Sequence, residues 1–199
     1  EAYLSGQVEI QDIHSQLAVE FIDPKENTKV LDFCAGAGGK TLAIGSITRG
    51  NAEYFVYDKS KTKLPNLKAR CQRAGVKIKI LNLKKTSQKN DKFDLVVADV
   101  PCSGTGVWRR NPGNKWLMTQ EKLGAIIADQ KKILNNAAKF VKNGGRLAYI
   151  TCSVLRNENQ DQVNWFLSSE KAFSFQADRV LPPIDGGDGF YVSILIKDP

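Results

Sequence analysis

The sequence predicts an α/β fold in which helices cover both faces of a mostly parallel sheet. Short apolar runs of strand length alternate with longer segments whose apolar residues recur at helical spacing, an order typical of parallel sheets. The 199 residues, 42% of them hydrophobic, suit one domain with a substantial core. We therefore expect a single domain over residues 1–199, with its ligand site at the carboxyl ends of the strands.

The first half of the chain predicts three strands. Short apolar runs flanked by turn residues place them at Lys29–Phe33, Glu53–Tyr57 and Val76–Leu81. A glycine-rich turn follows the first strand and opens into a short helix from Lys40. The second strand leads into a helix over Thr62–Ala74. Gly75 ends this helix, because glycine readily takes the left-handed conformation that follows a helix.

The second half repeats the alternation around one long loop. Its strands are predicted at Phe93–Ala98, Arg146–Thr151 and Phe190–Lys197. The loop from Asp99 to Thr119 is rich in glycine and proline. Apolar residues at helical spacing predict a helix over Gln120–Val141 that Gly144-Gly145 ends, and another helix is expected over Asn157–Ser168.

Composition limits the class of partner. The net charge of +8 slightly favours a polyanion such as nucleic acid, although lysines on helix faces and loops also serve solubility. These lysines are Lys59, Lys61, Lys63, Lys68, Lys84, Lys85 and Lys89. No apolar run approaches the roughly 18 residues of a membrane span, and no secretory signal opens the chain. Because Met118 is the only methionine, we expect the C-terminal part of a longer protein.

The four cysteines predict free thiols. None forms a close CxxC pair, and His14 is the only histidine, so we expect no metal centre. Without any sign of secretion, the expected compartment is reducing, namely the cytoplasm. We expect the domain to be a monomer without membrane partners.

Chemically versatile residues follow each of the first five predicted strands, and parallel strands bring such residues to one edge of a sheet. They are Cys34–Lys40, Asp58, Asn82, Asp99–Cys102 and Cys152. Asp58 is well placed to accept both hydrogens of a ribose diol. A surface carboxylate is the simpler interpretation of any single aspartate, but the position directly after a strand favours a ligand.

The glycine-rich turn, Asp32–Thr41, differs from two common nucleotide-binding motifs. A phosphate-binding P-loop requires a glycine where Cys34 stands. A dinucleotide fingerprint beginning at Gly36 and Gly38 requires its third glycine where Thr41 stands. The turn still allows backbone N–H groups to approach a ligand at a helix N-terminus. A tight turn without a ligand is the alternative.

Cys102 and Cys152 each precede a serine at a strand end, which favours covalent chemistry over two small buried side chains. One reaction that requires such a thiol is methylation of carbon 5 of cytosine, which is a poor nucleophile. A thiolate that adds to carbon 6 turns carbon 5 into an enamine carbon, which can attack a methyl sulfonium. Lys40 would favour the thiolate. Asp99 would relieve charge at the N3 edge of the ring, and the second thiol, or a base that it positions, would assist release.

These motifs resemble the Nol/Nop/Sun family of RNA cytosine-C5 methyltransferases over nearly the whole chain, and most closely its Sun-type (RsmB-like) members, which act on small-subunit ribosomal RNA. The paired PCS and TCS cysteines are the most specific mark. The matching segments are Gln11-Asp12, LDFCAGAGGKT (Leu31–Thr41), DVPCSGTG (Asp99–Gly106), RRNP (Arg109–Pro112) with Trp116, GGRLAYITCSV (Gly144–Val154) with Glu158-Asn159, and DGFYVSIL (Asp188–Leu195).

The resemblance implies a catalytic domain with a Rossmann-like S-adenosylmethionine-dependent methyltransferase fold and a seven-stranded sheet. It implies that S-adenosyl-L-methionine binds at Cys34, Ala35, Gly36, Ala37, Gly38, Gly39, Lys40, Asp58, Asn82 and Asp99. By the same resemblance Cys152 is the nucleophile, Cys102 serves product release, and Lys40 and Asp99 face the target base. Arg109 and Arg110 would lie near RNA phosphates, unless they belong to an ordinary basic loop.

Two departures from the family pattern bear on cofactor affinity. The usual turn reads CAAPGGKT, whereas Gly36 and Ala37 stand here in place of alanine and proline, which leaves the loop less preorganised. Asn82 replaces the usual aspartate near the adenine amino group but retains a carbonyl acceptor. These departures motivate one alternative function, a cofactor-binding RNA scaffold without turnover.

Alternatives remain open for the class of enzyme, for its substrate and for the roles of single residues. A DNA cytosine methyltransferase would carry its nucleophile at Cys102 and lack the second cysteine, and transfer RNA is an alternative substrate. A nicotinamide oxidoreductase fails on the glycine spacing. The target base must be unpaired or flipped out, and Trp108 or Trp116 either stacks on it or anchors its own loop. Asp188-Gly189-Phe190 is expected at the rim of the site or, alternatively, as a plain turn.

Overall fold

The computed structural model describes residues 1–83 and 92–199, and the basic residues Lys84, Lys85 and Lys89 lie outside them. Six α-helices occur in the described ranges: α1 Ile13–Ile22, α2 Gly39–Ile47, α3 Leu64–Arg73, α4 Asn114–Leu117, α5 Gln120–Ala138 and α6 Gln160–Ser169. Seven strands occur there: β1 Lys29–Asp32, β2 Glu53–Val56, β3 Ile78–Ile80, β4 Phe93–Asp99, β5 Val141–Thr151, β6 Phe173–Leu181 and β7 Phe190–Lys197. Among the described residues, no helix combines the length and apolar character that crossing a bilayer requires.

All seven strands form one sheet in the order β3-β2-β1-β4-β5-β7-β6. The pairs from β3 to β5 are parallel, while β7 runs antiparallel between β5 and β6. Chain order reverses at β1 and β4, which is the kind of switch point where open α/β sheets bind ligands. The predicted mostly parallel α/β fold is therefore confirmed.

Alternating side chains of the strands build a core on each face of the sheet, because successive residues of a strand point to opposite sides. Leu31 and Val96 pack on one face with Leu134 of α5, and Val30 and Val97 pack on the other. Residues of α1 and α2, including Ala18, Ile22 and Ile44, cover that second face. Helices on both faces leave the sheet's carboxyl edge as the open place for a site.

The structure corrects the predicted helix Gln120–Val141, which ends at Ala138. Val141 begins β5 and pairs with Phe93, and the Phe93 N–H donates to the Phe140 carbonyl at 2.8 Å. The apolar side chains of Phe140 and Val141 belong to the core on one face of the sheet, and Val141 matched the helical spacing only by coincidence. Gly144-Gly145 consequently lies within a strand.

The other differences between predicted and observed elements involve fewer residues. The third strand covers Ile78–Ile80, and within the described ranges it pairs with β2 at the sheet edge. The last helix begins at Gln160, after a single 3-10 turn over Arg156–Glu158. Strand β6 escaped the sequence analysis, since most of its side chains are exposed and only its two ends are buried.

Candidate active site

The carboxyl ends of β4 and β5 bring the two predicted catalytic cysteines together. Cys102 follows β4, Cys152 follows β5, and their Sγ atoms lie 3.3 Å apart. The Val100 N–H donates to the Ile150 carbonyl at 3.0 Å, so parallel pairing continues up to the two thiols. Two cysteines 50 residues apart in the sequence thus form a contacting, partly buried pair.

A close approach of two backbone segments frames this pair. The Gly106 N–H donates to the Cys152 carbonyl at 3.0 Å, and the Gly189 N–H donates to the Gly106 carbonyl at 2.8 Å. A Cβ on Gly106 would lie 2.2 Å from the Gly189 carbonyl oxygen, so only glycine fits there. This contact ties the thiol loop to the start of β7, and Asp188-Gly189-Phe190 therefore lies at the site, as expected for a rim segment.

Lys40 provides a buried cation beside the thiols. Its Nζ lies 3.0 Å from Asp99 Oδ2, donates to Ser15 Oγ at 2.8 Å and sits 4.7 Å from the ring centre of Phe190. The Lys40 side chain is only 7% exposed, so α1, α2, β4 and β7 together fix its charge. The structure thus joins the predicted residues Lys40 and Asp99, whereas sequence reasoning missed Ser15.

The two thiols differ in their electrostatic surroundings. A hydrogen bond from Cys102 lowers the pKa of Cys152, and Lys40 acts in the same direction against burial and the charge of Asp99. The hydrogen bond with Cys152, followed by burial, raises the pKa of Cys102 well above its usual value. Cys152 is therefore the member of the pair that favours the thiolate, the form that acts as a nucleophile.

The glycine-rich turn after β1 presents a cradle for a ligand. Gly36 and Gly38 have φ of 53° and 90°, a left-handed conformation that glycine adopts without strain. Gly38 precedes α2, and within the described structure no side chain caps that N-terminus. The unpaired N–H groups of this first turn suit a carboxylate. Burial raises the pKa of Cys34, which disfavours the thiolate at this position.

Two carboxylates complete the cradle. Asp32 at the end of β1 is fully buried, its Oδ2 accepts from Thr41 Oγ1 at 2.7 Å, and its Oδ1 has no hydrogen-bond partner within the described residues. Asp58 follows β2 and accepts the Gly36 N–H at 2.8 Å and the Ser60 N–H at 2.7 Å. Each Asp58 oxygen keeps a lone pair for a ribose. Asn82 lies exposed two residues after β3.

These groups fit the parts of S-adenosylmethionine. The α2 N-terminus suits its carboxylate, the unpartnered oxygen of Asp32 suits its ammonium group, and Asp58 suits its ribose hydroxyls. Asp32 was not among the predicted binding residues. Its position in a strand predicts burial but gives no sign of the orphaned oxygen.

Arg109 and Arg110 hold a different partner from the one predicted. Arg109 Nε donates to Asp188 Oδ1 at 2.9 Å, Arg110 Nε donates to the same oxygen at 3.1 Å, and Arg110 Nη2 donates to Asp188 Oδ2. Asp188 is buried, and its N–H donates to Asp12, the N-cap of α1. The arginine side chains remain 43% and 55% exposed, so RNA contact stays a prediction.

The two tryptophans of the long loop differ in their exposure to solvent. Trp116 on α4 is 83% exposed, and Lys115 Nζ lies 5.7 Å from its ring centre. Trp108 is partly buried, and its Nε1 is enclosed without a hydrogen-bond partner in the described residues. Trp108 therefore anchors the loop, while Trp116 presents its ring to solvent.

The fold and site together define the class. A seven-stranded sheet with β7 antiparallel between β5 and β6, and a glycine turn after the first strand, is the architecture of S-adenosylmethionine-dependent methyltransferases. A model of the family described as 16S rRNA methyltransferase RsmB/F matches residues 19–196. The chain belongs to this RsmB/F family, which confirms the resemblance found in the sequence.

Individual relatives agree with this assignment. The chain is 36% identical over 197 residues to ribosomal RNA small subunit methyltransferase B of Proteus mirabilis, covering 96% of this chain and 46% of that protein. It resembles the crystal structure of PH0851, with 28% identity, a TM-score of 0.89, and coverage of 99% of this chain and 48% of that one. NSun6 from Pyrococcus horikoshii with SFG shares the fold, with 24% identity, a TM-score of 0.86, and coverage of 100% and 55%. The chain spans about half the length of the curated relatives it matches.

Proposed function

We propose that this domain transfers a methyl group from S-adenosylmethionine to carbon 5 of cytosine in RNA, through a covalent adduct between cytosine and Cys152. The observation that carries the proposal is the contact of two thiols, 3.3 Å apart, beside a buried lysine–aspartate pair. Methyl transfer to an oxygen or a ring nitrogen requires no thiol, whereas activation of a pyrimidine carbon requires a nucleophile that adds and leaves again. The names of the relatives support RNA as the substrate class.

The cofactor would lie across the carboxyl ends of β1 to β4. The proposed binding residues are Cys34, Ala35, Gly36, Ala37, Gly38, Gly39, Lys40, Asp58, Asn82 and Asp99, to which the geometry adds Asp32. When bound, S-adenosylmethionine supplies an electrophilic methyl group on a sulfonium. The bound SFG of the Pyrococcus horikoshii NSun6, an S-adenosylmethionine analogue, supports this cofactor for the shared fold.

Attack begins at Cys152. Its thiolate would add to carbon 6 of the cytosine, and the electrons of the ring double bond would make carbon 5 nucleophilic. Carbon 5 would then form its bond to the methyl group as the bond between that methyl group and the sulfonium breaks, and the electron pair of the broken bond would stay on the sulfur. Charge that builds at the N3 edge of the ring would be relieved by a proton shared between N3 and Asp99, whose carboxyl group lies 3.0 Å from Lys40 Nζ. Lys40 contributes a fixed positive charge that favours both the thiolate and the ring in its anionic form.

Release requires the second thiol. The proton on carbon 5 must leave, its electrons must restore the ring double bond, and the bond between carbon 6 and Cys152 Sγ must break. Cys102 lies in contact with the leaving sulfur. We assign it to this step as the group that orients the base, because Cys102 itself holds the proton that the two thiols share.

The surface around the thiols suits single-stranded RNA. Trp116 is an exposed aromatic ring in the same loop as Cys102, and bases stack on such rings. Arg109 and Arg110 are half-exposed cations of that loop. We propose small-subunit ribosomal RNA as the substrate, because relatives of this domain carry that name, and transfer RNA is the alternative.

A denaturing gel tests the proposal directly. The protein is incubated with labelled RNA and S-adenosylmethionine, and an RNA–protein band that resists denaturation reports the adduct. We expect the band to accumulate with Cys102→Ala, because release fails, and to be absent with Cys152→Ala. Cys71→Ala is the matched control, since this thiol lies buried in a separate cluster under the sheet.

Three other outcomes would contradict the proposal. A band that requires Cys102 would reverse the roles of the two thiols, as in a DNA-type enzyme, and a matched DNA strand offered alongside tests that directly. Methylation without any adduct would exclude the covalent route. Cofactor binding without methylation of ribosomal or transfer RNA would support the scaffold, which the changes at Ala37 and Asn82 motivate.

A further inference from the structure

A buried carboxylate, Glu158, lies between the two segments that carry the thiols. It belongs to the 3-10 turn after β5 and is 0% exposed. Its Oε1 accepts the Ser103 N–H at 2.8 Å, and its Oε2 accepts the hydroxyls of Ser103 and, at 2.6 Å, Ser153. These serines directly follow Cys102 and Cys152. One carboxylate therefore joins the residues next to both thiols.

The rest of the surroundings hold Glu158 itself in place. Gln130 of α5 donates from Nε2 to Glu158 Oε1 at 2.9 Å and to the Pro101 carbonyl at 3.1 Å. The Tyr149 hydroxyl donates to the Glu158 carbonyl at 2.6 Å. The carboxylate thus receives four hydrogen bonds from three residues, the pattern of an ionised group.

A buried carboxylate of this kind is costly for the fold alone. In residues 1–83 and 92–199 no cationic side chain forms an ion pair with Glu158. A buried charge without a countercharge is stabilised only by its hydrogen bonds, and a neutral residue would serve packing at lower cost. The position between the two thiol segments supplies a reason for the charge.

We propose that Glu158 is a positioning residue that holds the two thiols in contact and directs the proton they share to Cys102. This inference rests on the proposed function for the roles of the thiols. Fixing Ser103 and Ser153 against one carboxylate fixes the Cys102–Cys152 separation. Its negative charge disfavours a second negative charge at Cys102, so the thiolate forms at Cys152.

The other charges around Cys102 and Cys152 are consistent with a protonated Cys102 and a thiolate at Cys152. The titratable and charged groups that face the thiols are Lys40 from α2, Asp99 from the end of β4, Arg110 from the loop before α4, Tyr149 from β5 and Glu158. Lys40 lowers and Asp99 raises the pKa of Cys152. The hydrogen bond with Cys152 and burial are the main causes of the raised pKa of Cys102, and the charge of Glu158 adds to them. Glu158 is therefore the carboxylate that acts on the release thiol.

The first test measures the thiols without RNA or cofactor. Initial rates of iodoacetamide alkylation at Cys102 and Cys152 are followed by peptide mass spectrometry between pH 6 and pH 10. In the wild type we expect Cys152 to react first. Glu158→Gln keeps the side-chain size but removes the charge, and we expect the rate ratio of Cys152 to Cys102 to fall by about tenfold, the effect of one pKa unit. Asp161→Asn, an exposed carboxylate on α6, should leave the ratio unchanged.

The second test removes the hydroxyl of one serine at a time and keeps Glu158, so that it does not depend on the folding of a Glu158 variant. Ser153→Ala should slow formation of the RNA adduct. Ser103→Ala should leave formation intact but delay release, so that the adduct accumulates. A displaced thiol of this kind is expected to cost about 100-fold in rate.

The outcomes separate the two proposals. A folded Glu158→Gln protein whose thiol ratio stays within twofold of the wild type would overturn the role of Glu158, and so would serine variants with equal effects on formation and release. Failure of the wild type to methylate cytosine would instead contradict the proposed function. The alkylation ratio would still report on Glu158 in that case, because it involves neither RNA nor cofactor.

Discussion

Replacing the buried Asp32 by asparagine should stabilise the cofactor-free domain at alkaline pH and leave it almost unchanged in acid. Burial raises the pKa of Asp32 from 3.8 to about 7, and the nearby Asp99 charge adds to this, while Thr41 and Lys40 oppose it. A raised carboxyl pKa means that the folded state binds the proton more tightly than the unfolded state. The free energy of unfolding is thus highest below the pKa that Asp32 has in the unfolded chain, and it falls as the pH rises toward 7.

The magnitude follows from the size of the shift. A difference of about three pKa units corresponds to about 4 kcal/mol in the free energy of unfolding between the acid and alkaline limits. Between pH 5 and pH 8, roughly 3 kcal/mol of that difference should appear. Asparagine cannot ionise, so the variant should gain that amount over the wild type across this range.

Urea denaturation of both proteins at several pH values measures the effect. Comparing the two proteins at each pH cancels the titrating groups that do not interact with Asp32, and Asp129→Asn, an exposed carboxylate on α5, serves as the control. A free-energy difference between wild type and Asp32→Asn that does not change with pH would refute the reasoning. The same variant should bind S-adenosylmethionine more weakly, since the unpartnered oxygen would no longer be anionic.

Three further predictions test other parts of the site. Gly106→Ala should abolish adduct formation and lower the melting temperature, because the new Cβ would lie 2.2 Å from the Gly189 carbonyl oxygen; activity at the wild-type level would contradict this contact. Trp116→Ala should weaken RNA binding by roughly tenfold in a filter-binding assay, the loss of one stacked base, whereas Phe175→Ala, an exposed aromatic on β6, should not. Lys40→Met should move the pH dependence of alkylation at the nucleophilic thiol upward, and an unchanged profile would remove lysine from thiol activation.

Residues near strand ends were predictable, while partners distant in sequence were not. Apolar runs predicted β1, β4 and β5, and the parallel pattern placed Cys102 and Cys152 at one edge of the sheet. Their contact at 3.3 Å needs the exact pairing of β4 with β5. That pairing depends on the bulge between Phe93 and Leu95, which no local pattern reveals.

The basic loop shows the same limit for charged residues. The family resemblance predicted Arg109 and Arg110 near RNA phosphates, with an ordinary basic loop as the alternative. Their carboxylate partner, Asp188, lies 78 residues or more away in the sequence. The approach of Gly106 to Gly189 brings that segment to the loop. The local sequence shows where the charged residues are, but it does not predict the partner with which each forms an ion pair.

The two outer strands of the sheet bear on how this domain behaves at high concentration. An exposed edge offers unpaired backbone groups to another chain, and charged side chains or a bulge discourage that addition. Strand β6 carries Asp178 and Arg179 and shifts register between Phe175 and Ala177, and strand β3 carries Lys79. Growth of the sheet into an aggregate is therefore disfavoured at both ends.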